Sequence, residues 1–351
     1  MHTRQQQRGI RKARRAGLHY VHNLDDGWLR RRSGRGFAYF SRLGKRLAGK
    51  RTLKRIQALA IPPAWEDVRI CPSPNGHLQA IGRDEKGRQQ YLYHDDWHAI
   101  SAATKFDRLE RIGSVLPKVR RRVRRDLGRK GLSKERVVAA IVRLIDKAHL
   151  RVGNPASVKD NGSHGATTLA PHHVDIDAVT ISLDFPGKGG KQRDVLLSDA
   201  KVAAVIEQCE EINGQFLFCY RDDAGDYHSV SSSDVNGYLR EAADEPLSAK
   251  DFRTWSGSVI ALRHLKAALE ESDRLSPTRL INQAISKTAE EMGHTKAVCR
   301  QSYIHPGLLA AFETGTLSAL LEKYRDSMPA AQAELTRDEE ELLAILPALA
   351  S

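Results

Sequence analysis

The sequence predicts an α+β protein of two domains: a small β-rich domain over residues 1–94 and a larger, mainly α-helical domain over residues 95–351 that carries a small β-hairpin. Three observations predict it. At 351 residues the chain is longer than one hydrophobic core usually organises. Up to His94, short aromatic and β-branched runs alternate with turn residues. From Asp95 onward the apolar residues recur at helical spacing, interrupted by one pair of strand-like runs.

In the N-terminal part the strand-like runs are GLHYVHNL, GRGFAYFS, DVRICPS, GHLQAIGRD and QQYLYHD. Between them RTLKRIQALAIPP reads as one helix stopped by Pro62 and Pro63, because proline cannot continue the ladder. In LSKERVVAAIVRLIDKAHLRVG, Ser133 is a candidate N-cap, and Val137, Val138, Ile141, Leu144, Ile145 and Ala148 fall on one stripe. That helix delivers Arg151 at its C-terminal end. VTISLDF and RDVLLS then form a hairpin whose Gly-rich tip, PGKGGKQ, carries Lys188 and Lys191. KDFRTWSGSVIALRHLKAALEES places Arg253 at the start of another helix. SPTRLINQAISKTAEEMGHT opens with Ser276 as N-cap and Pro277 at the first helical position, and Gly293 closes it. Thr295 caps a short helix carrying Tyr303, with Pro306 expected to end it. The acidic tail from about residue 336, LTRDEEELLAILPALAS, suggests no role by itself.

Composition narrows the function. The chain has 56 Lys and Arg against 43 Asp and Glu, a net charge of +13, which favours a polyanionic partner. The excess is concentrated at the start, where Asp25 and Asp26 are the only acidic residues up to Gln57. No run of about 18 apolar residues occurs and the N-terminus lacks a secretory signal, so a cytoplasmic protein without a membrane partner is expected. Cys71, Cys209, Cys219 and Cys299 are scattered with no Cys-x-x-Cys pair, which suggests neither a zinc cage nor a disulfide scaffold. His172 and His173 lack a partner at ligand spacing and read as solvated loop histidines. No metal or cofactor is expected. GKGGKQ lacks the Gly-x-x-x-x-Gly-Lys-Ser/Thr pattern of a nucleotide-phosphate loop.

The residues at element ends are Arg151, a hairpin Lys, Arg253, His294 and Tyr303, and each alone has an ordinary structural reading. In MGHTKAVCRQSYIHP, Tyr303 fits a packing aromatic as well as a nucleophile. Together they are the parts for attack on a phosphodiester without metal. A free phenol of pKa near 10 is ionised only about once in a thousand at neutral pH, so it needs nearby positive charge or a base. Two arginine forks can hold the non-bridging oxygens, a histidine can donate to the charge that develops, and a lysine can protonate the leaving 5′-oxygen.

LRVGNPASVKDNGSHGATTLAPHHV, FPGKGGKQRDV, KDFRTW and GHTKAVCRQSYIHP resemble the four catalytic segments of type IB DNA topoisomerases, close to the short bacterial and poxviral form. IPPAWEDVRICPSPNGHLQAIGRDEKGRQQYLYH is similar to that form's DNA-gripping domain, so the resemblance covers nearly the whole chain. It implies the tyrosine recombinase/type IB topoisomerase fold and two domains clamped around duplex DNA. It implies relaxation of positive and negative supercoils by a monomer, without ATP or metal, through a 3′-phosphotyrosyl intermediate. By position Tyr303 is the nucleophile, Arg151 and Arg253 the phosphate-binding arginines and His294 a third donor, where some bacterial members carry Asn. Lys188, which directly follows Gly187, is the general acid with Lys191 in reserve, and Lys250 matches a second lysine at the same oxygen. Arg88, Gln90, Tyr91 and Tyr93 align with DNA contacts.

Two other readings compete. Tyrosine recombinases share the chemistry, but they typically have His-x-x-Arg where this chain has Lys250-Asp-Phe-Arg253, and a helical N-terminal domain. A basic DNA-binding scaffold whose Tyr303 only packs predicts salt-sensitive binding with no covalent adduct.

Overall fold

Five short runs of strand-forming residues build one antiparallel sheet in the N-terminal part of the computed structural model, which describes residues 4–212, 214–270, 275–326 and 334–349. The elements there are α1 (Arg4–Arg15), β1 (Trp28–Ser33), β2 (Gly36–Phe40), α2 (Lys50–Ala58), β3 (Glu66–Ile70), β4 (Leu78–Arg83), β5 (Gln89–Tyr93) and α3 (Asp95–Phe106). The sheet order is β2-β1-β3-β4-β5. Ile56 of α2 packs with Val68, Ile70 and Ala80 in a small core. Buried Arg30 ties this core to the following loop by donating to the carbonyls of Pro62 (3.1 Å) and Trp65 (2.5 Å).

The N-terminal unit differs from expectation in three places. GLHYVHNL forms no strand beyond an isolated bridge from His19 to Gly76; instead Tyr20 stacks on His77 with ring centroids 4.4 Å apart. Three successive arginines obscure the alternation of WLRRRS, which is nevertheless the interior strand β1, paired with β2 and β3. The basic N-terminus is helical: Gly9 lies against the Tyr20 ring and Lys12 sits 4.7 Å from the Trp97 ring centroid.

By contact density the chain divides into Met1–Lys105 and Phe106–Ser351. The second unit contains α4 (Leu109–Asp126), α5 (Lys134–Ala148), α6 (Pro155–Asn161), β6 (Val174–Asp177), β7 (Thr180–Pro186), β8 (Gln192–Ser198), α7 (Ala200–Glu210), β9 (Cys219–Arg221), β10 (Tyr227–Ser229) and α8 (Ser232–Ala243). It continues with α9 (Ala249–Leu269), α10 (Pro277–Glu291), α11 (Lys296–Ser302), α12 (Pro306–Glu313), α13 (Leu317–Arg325) and α14 (Arg337–Leu349). Ser133 caps α5 by accepting from the Arg136 N–H. Burial on α5 spreads beyond the predicted stripe to Ala139, Ala140 and Val142, because α4, α7, α8 and α9 all pack on it. Residues 271 and 272, the end of the predicted helix that carries Arg253, lie outside the described residues.

Two further expectations are corrected. Pro306 does not end the short helix before Tyr303 but opens α12, at the first position where its missing N–H costs nothing. His173 is buried rather than solvated: its Nδ1 accepts from the Ala170 N–H at 3.0 Å, and burial holds the imidazole down at about 4. A short strand, β6, follows it and completes the order β6-β7-β8.

The acidic tail has a structural role. Thr336 and Glu339 cap α14 reciprocally, the Thr336 N–H donating to Glu339 Oε2 at 2.8 Å and the Glu339 N–H to Thr336 Oγ1 at 3.4 Å. Glu339 also receives two 2.8 Å hydrogen bonds from Arg120 of α4 and one of 2.9 Å from the Trp255 indole of α9. Arg120 in turn holds Asp146 of α5 at 2.8 Å. The carboxylate therefore joins α4, α9 and α14, and Trp255 stands only two residues beyond Arg253.

Glu339→Ala leaves Arg120 with one buried carboxylate and the indole with none; a loss of roughly 3 kcal/mol is expected in urea unfolding at pH 7. Burial opposes ionisation of Glu339, but the bonds and charge of Arg120 outweigh it and hold the carboxyl at about 2, below its ordinary 4.5. A depressed folded-state pKa stabilises fully above the unfolded value and is lost as pH falls through the folded one. The stability gap between wild type and Glu339→Gln should thus be constant above about pH 5 and shrink from 4.5 towards 2. A gap unchanged down to pH 3 contradicts the assignment.

Candidate active site

Three helix ends and one hairpin tip converge in the second unit. Burial of α5 puts its last turn deep in the core; His149 then turns the chain out in the left-handed region at φ 54°, and Arg151 follows. The segment after it is clasped by Ala166 and Thr167, whose N–H groups donate to the carbonyls of Arg151 (2.8 Å) and Val152 (2.7 Å). Gly165 is required there, since a Cβ would lie 2.7 Å from the Arg151 carbonyl oxygen.

Arg253, in the first turns of α9, is 5% exposed. Its guanidinium donates through Nη1 to the carbonyl of His149 and through Nη2 to that of Met292 at 3.4 Å. These carbonyls cap α5 and α10, where backbone acceptors lack helical partners and the dipole favours a cation. Its Nε is buried with no hydrogen-bond partner. Burial, then the neighbouring Arg151, lowers this guanidinium to about 10.

His294 is presented by the end of α10. Gly293, at φ 64°, donates to the Glu290 carbonyl (3.0 Å) and His294 to that of Ala289 (2.7 Å), the paired bonds of a Schellman stop. Its Nε2 meets Nη2 of Arg253, and its Nδ1 lies 3.5 Å from Nη2 of Arg151. Burial, then Arg253 and Arg151, lowers the imidazole to about 3, so the ring is neutral. With Nε2 accepting from Arg253, Nδ1 carries the proton and faces another donor. A phosphate oxygen shared by His294 Nδ1 and Arg151 Nη2 satisfies both.

Tyr303 caps α11, whose N-terminus is capped by Thr295 as expected. The Tyr303 ring stacks on His294 with centroids 4.6 Å apart and planes at 20°, and the Arg253 Cζ is 5.3 Å from its centroid. The residue is only 6% exposed, so it is a core aromatic as well as a candidate nucleophile. Burial pushes the phenol up, but Arg253 and then Arg151 more than offset this by charge and hydrogen bonding, and the phenol is held below its ordinary value. Its backbone is fixed to α9: Ser258 Oγ donates to the Tyr303 carbonyl and accepts from the His305 N–H, both at 3.1 Å. A Cβ on Gly257 would lie 2.7 Å from that of Tyr303. Gly257 and Ser258 went unnoticed in the sequence because neither carries reactive chemistry; the small-residue triplet Ser256-Gly257-Ser258 within an otherwise bulky helix was their signal.

Arg151, Arg253 and His294 line a cavity of about 370 Å³ whose cations are Arg151, Lys188, Lys191, Arg193 and Arg253 and which has no carboxylate in its lining. Lys188 and Lys191 are exposed on the hairpin tip, where Gly189 and Gly190 adopt φ 77° and 74°. Arg193 of β8 was not anticipated. Lys250 is exposed on the first turn of α9 and is not among the lining side chains. The other named residues lie in the first unit: Arg88 and Gln90 both donate to Asp84 Oδ2 at 2.8 Å, and exposed Tyr91 stacks on Tyr93 at 6.1 Å. No group of three or more His, Cys, Asp or Glu able to hold a metal ion occurs among the described residues, and no described helix is long and apolar enough to cross a membrane.

Known proteins resemble the chain over most of its length. The family model "Eukaryotic DNA topoisomerase I, catalytic core" matches residues 95–327, and "Bacterial DNA topoisomerase IB, N-terminal domain" matches residues 36–84. The chain is 30% identical to DNA topoisomerase 1B of Acanthamoeba polyphaga mimivirus over 80% of this chain and 86% of that one. It is 22% identical to DNA topoisomerase 1B of Vaccinia virus (strain Copenhagen), over 70% and 74% of the two chains. Among solved structures, a XerH site-specific recombinase bound to difH substrate aligns with a TM-score of 0.34 at 14% identity, over 55% of this chain and 49% of that chain.

The His294 ring should stay neutral from pH 5 to 8 in the substrate-free protein, which imidazole ¹⁵N shifts report. Arg253→Gln should move its titration up towards the ordinary 6.5. A wild-type midpoint near 6.5 contradicts the cationic cage.

Proposed function

The chain belongs to the type IB DNA topoisomerase family, and from that premise we propose that it relaxes supercoiled duplex DNA of either sign, as a monomer in the cytoplasm at the nucleoid, with Tyr303 as nucleophile. One observation carries the reading: a phenol stacked on a neutral histidine and held below its ordinary pKa by Arg253 and Arg151, next to residues that line a cavity with five cations and no carboxylate.

In the proposed reaction the Tyr303 oxygen attacks the scissile phosphorus as its proton leaves to solvent. The P–O(Tyr) bond forms and the P–O5′ bond breaks. Arg151 and Arg253 hold the non-bridging oxygens, and the N–H of His294 donates to the growing charge. Lys188 protonates the departing 5′-oxygen, Lys250 assists there, and Lys191 tracks the backbone. Tyr303 keeps the phosphoryl bond as a 3′-phosphotyrosyl ester, so the free 5′ end can swivel and reseal by the reverse steps without ATP. The donor set neutralises a phosphorane with guanidinium and imidazole groups, so no metal is assigned to the chemistry. In the first unit, Arg88, Gln90, Tyr91 and Tyr93 are proposed DNA contacts that position the duplex.

Tyr303→Phe should bind plasmid but relax neither sign of supercoil in EDTA and leave no SDS-trapped adduct. Residual relaxation by this variant rules the assignment out. Arg151→Ala or Arg253→Ala should slow single-turnover cleavage by roughly 10²–10³-fold. Lys188→Ala should be slow on ordinary DNA yet near wild type on a 5′-bridging sulfur substrate, whose thiolate leaves without a proton. If Lys191→Ala shows that rescue instead, the two lysines exchange roles.

A further inference from the structure

We propose that Arg193 is a third guanidinium on the scissile phosphate, and that Gly293 lacks a side chain so that this guanidinium can reach it. The inference rests on the proposed strand-cleavage reaction and adds a residue to it.

Arg193 is paired with Phe185 across the hairpin, five residues beyond Lys188 and one ladder pair below the turn, so its backbone is held in the β7–β8 ladder rather than in the Gly-rich loop. Its side chain lines the same cavity as Arg151, Arg253 and His294. The approach is close: a Cβ on Gly293 would fall 1.8 Å from Nη1 of Arg193 and 2.6 Å from Cζ. Any other residue at 293 would displace the guanidinium from beside His294. The left-handed φ of 64° explains why glycine suits the helix stop, but asparagine can also adopt it; with any side chain at 293 the Arg193 guanidinium could not keep its place beside His294.

The charge has no hydrogen-bonded partner. Among the described residues the guanidinium makes no hydrogen bond or ion pair, and burial and Arg151 together disfavour its charged form more than the charge of Asp194 supports it. Partly buried cations without partners are costly and ordinarily mark a site for an anion. A structural arginine bridging the hairpin to α10 would be expected to donate to one of the carbonyls there, as Arg253 does to Met292. The phosphodiester carries one negative charge and the phosphorane two. Because that charge grows on the way to the phosphorane, a third guanidinium adds most as the second charge develops, and its loss should appear in rate more than in binding.

The test compares wild type and Arg193→Gln in single-turnover cleavage of two duplexes, one ordinary and one with an uncharged methylphosphonate at the scissile position, with DNA affinity measured in a Tyr303→Phe background. The expected result is about 10²-fold slower cleavage of the phosphodiester, little change in affinity, and a defect that largely disappears on the methylphosphonate. The same fold-loss on both substrates overturns the proposal, because a merely structural residue does not sense the phosphate charge. Gly293→Ala, which keeps the guanidinium but displaces it, should show the same substrate dependence; if Arg193→Gln does not fold, Arg193→Lys, which keeps a charge without the fork, carries the comparison. A wild type that leaves no adduct on the phosphodiester overturns the Tyr303 assignment and this proposal with it, whereas normal wild-type cleavage with equal losses removes Arg193 alone.

Discussion

The catalytic unit is organised around one buried guanidinium. Arg253 donates to the carbonyl ends of α5 and α10 and meets the imidazole that follows α10. Burying a cation is expensive unless it is hydrogen-bonded, and two helix C-termini supply oriented acceptors at the favourable end of their dipoles. The arrangement fixes three helix ends relative to one another: α5 leads to Arg151, α10 to His294, and α9 carries Arg253 itself. Its unpaired Nε shows that the protein leaves part of this donor capacity unused. Behind it, Glu339 anchors Trp255 one half-turn along α9, so the C-terminal helix helps hold the same element from the opposite side.

Packing and reactivity are often treated as alternative explanations for an aromatic residue, and Tyr303 shows why they need not be. A buried phenol resists ionisation, yet only a buried phenol feels neighbouring guanidiniums through a low dielectric. Here the arginines win and the net effect favours the phenolate. The stack on His294 and the backbone lock to Ser258 remove the freedom that an exposed side chain would lose on reaching a near-attack geometry. The neutral state of His294 follows from the same crowding of cations, which suits a hydrogen-bond donor rather than an acid.

Much of this was legible in the sequence because local rules place the residues. Ser133, Thr295 and Gly293 mark helix ends by capping chemistry that depends on neighbours a few positions away. The hairpin was visible in the alternation of its strands around a Gly-rich turn. The residues that escaped depend on contacts distant in the chain. Arg193 looks like any strand arginine until the hairpin folds over Gly293, and Gly257 and Ser258 gain meaning only against Tyr303. The tail, opened by four consecutive acidic residues, suggested no role because its partner Arg120 lies more than 200 positions earlier. GLHYVHNL has strand propensity, but stacking of Tyr20 on His77 decides its conformation.

The central claim is that buried guanidiniums activate the Tyr303 phenol, and its own titration tests this most directly. With ¹³C-labelled tyrosine, the Cζ shift of Tyr303 should titrate below its ordinary value of 10 in the wild type, and Arg253→Gln should raise the midpoint. A midpoint at or above 10, or one that Arg253→Gln leaves in place, would contradict it.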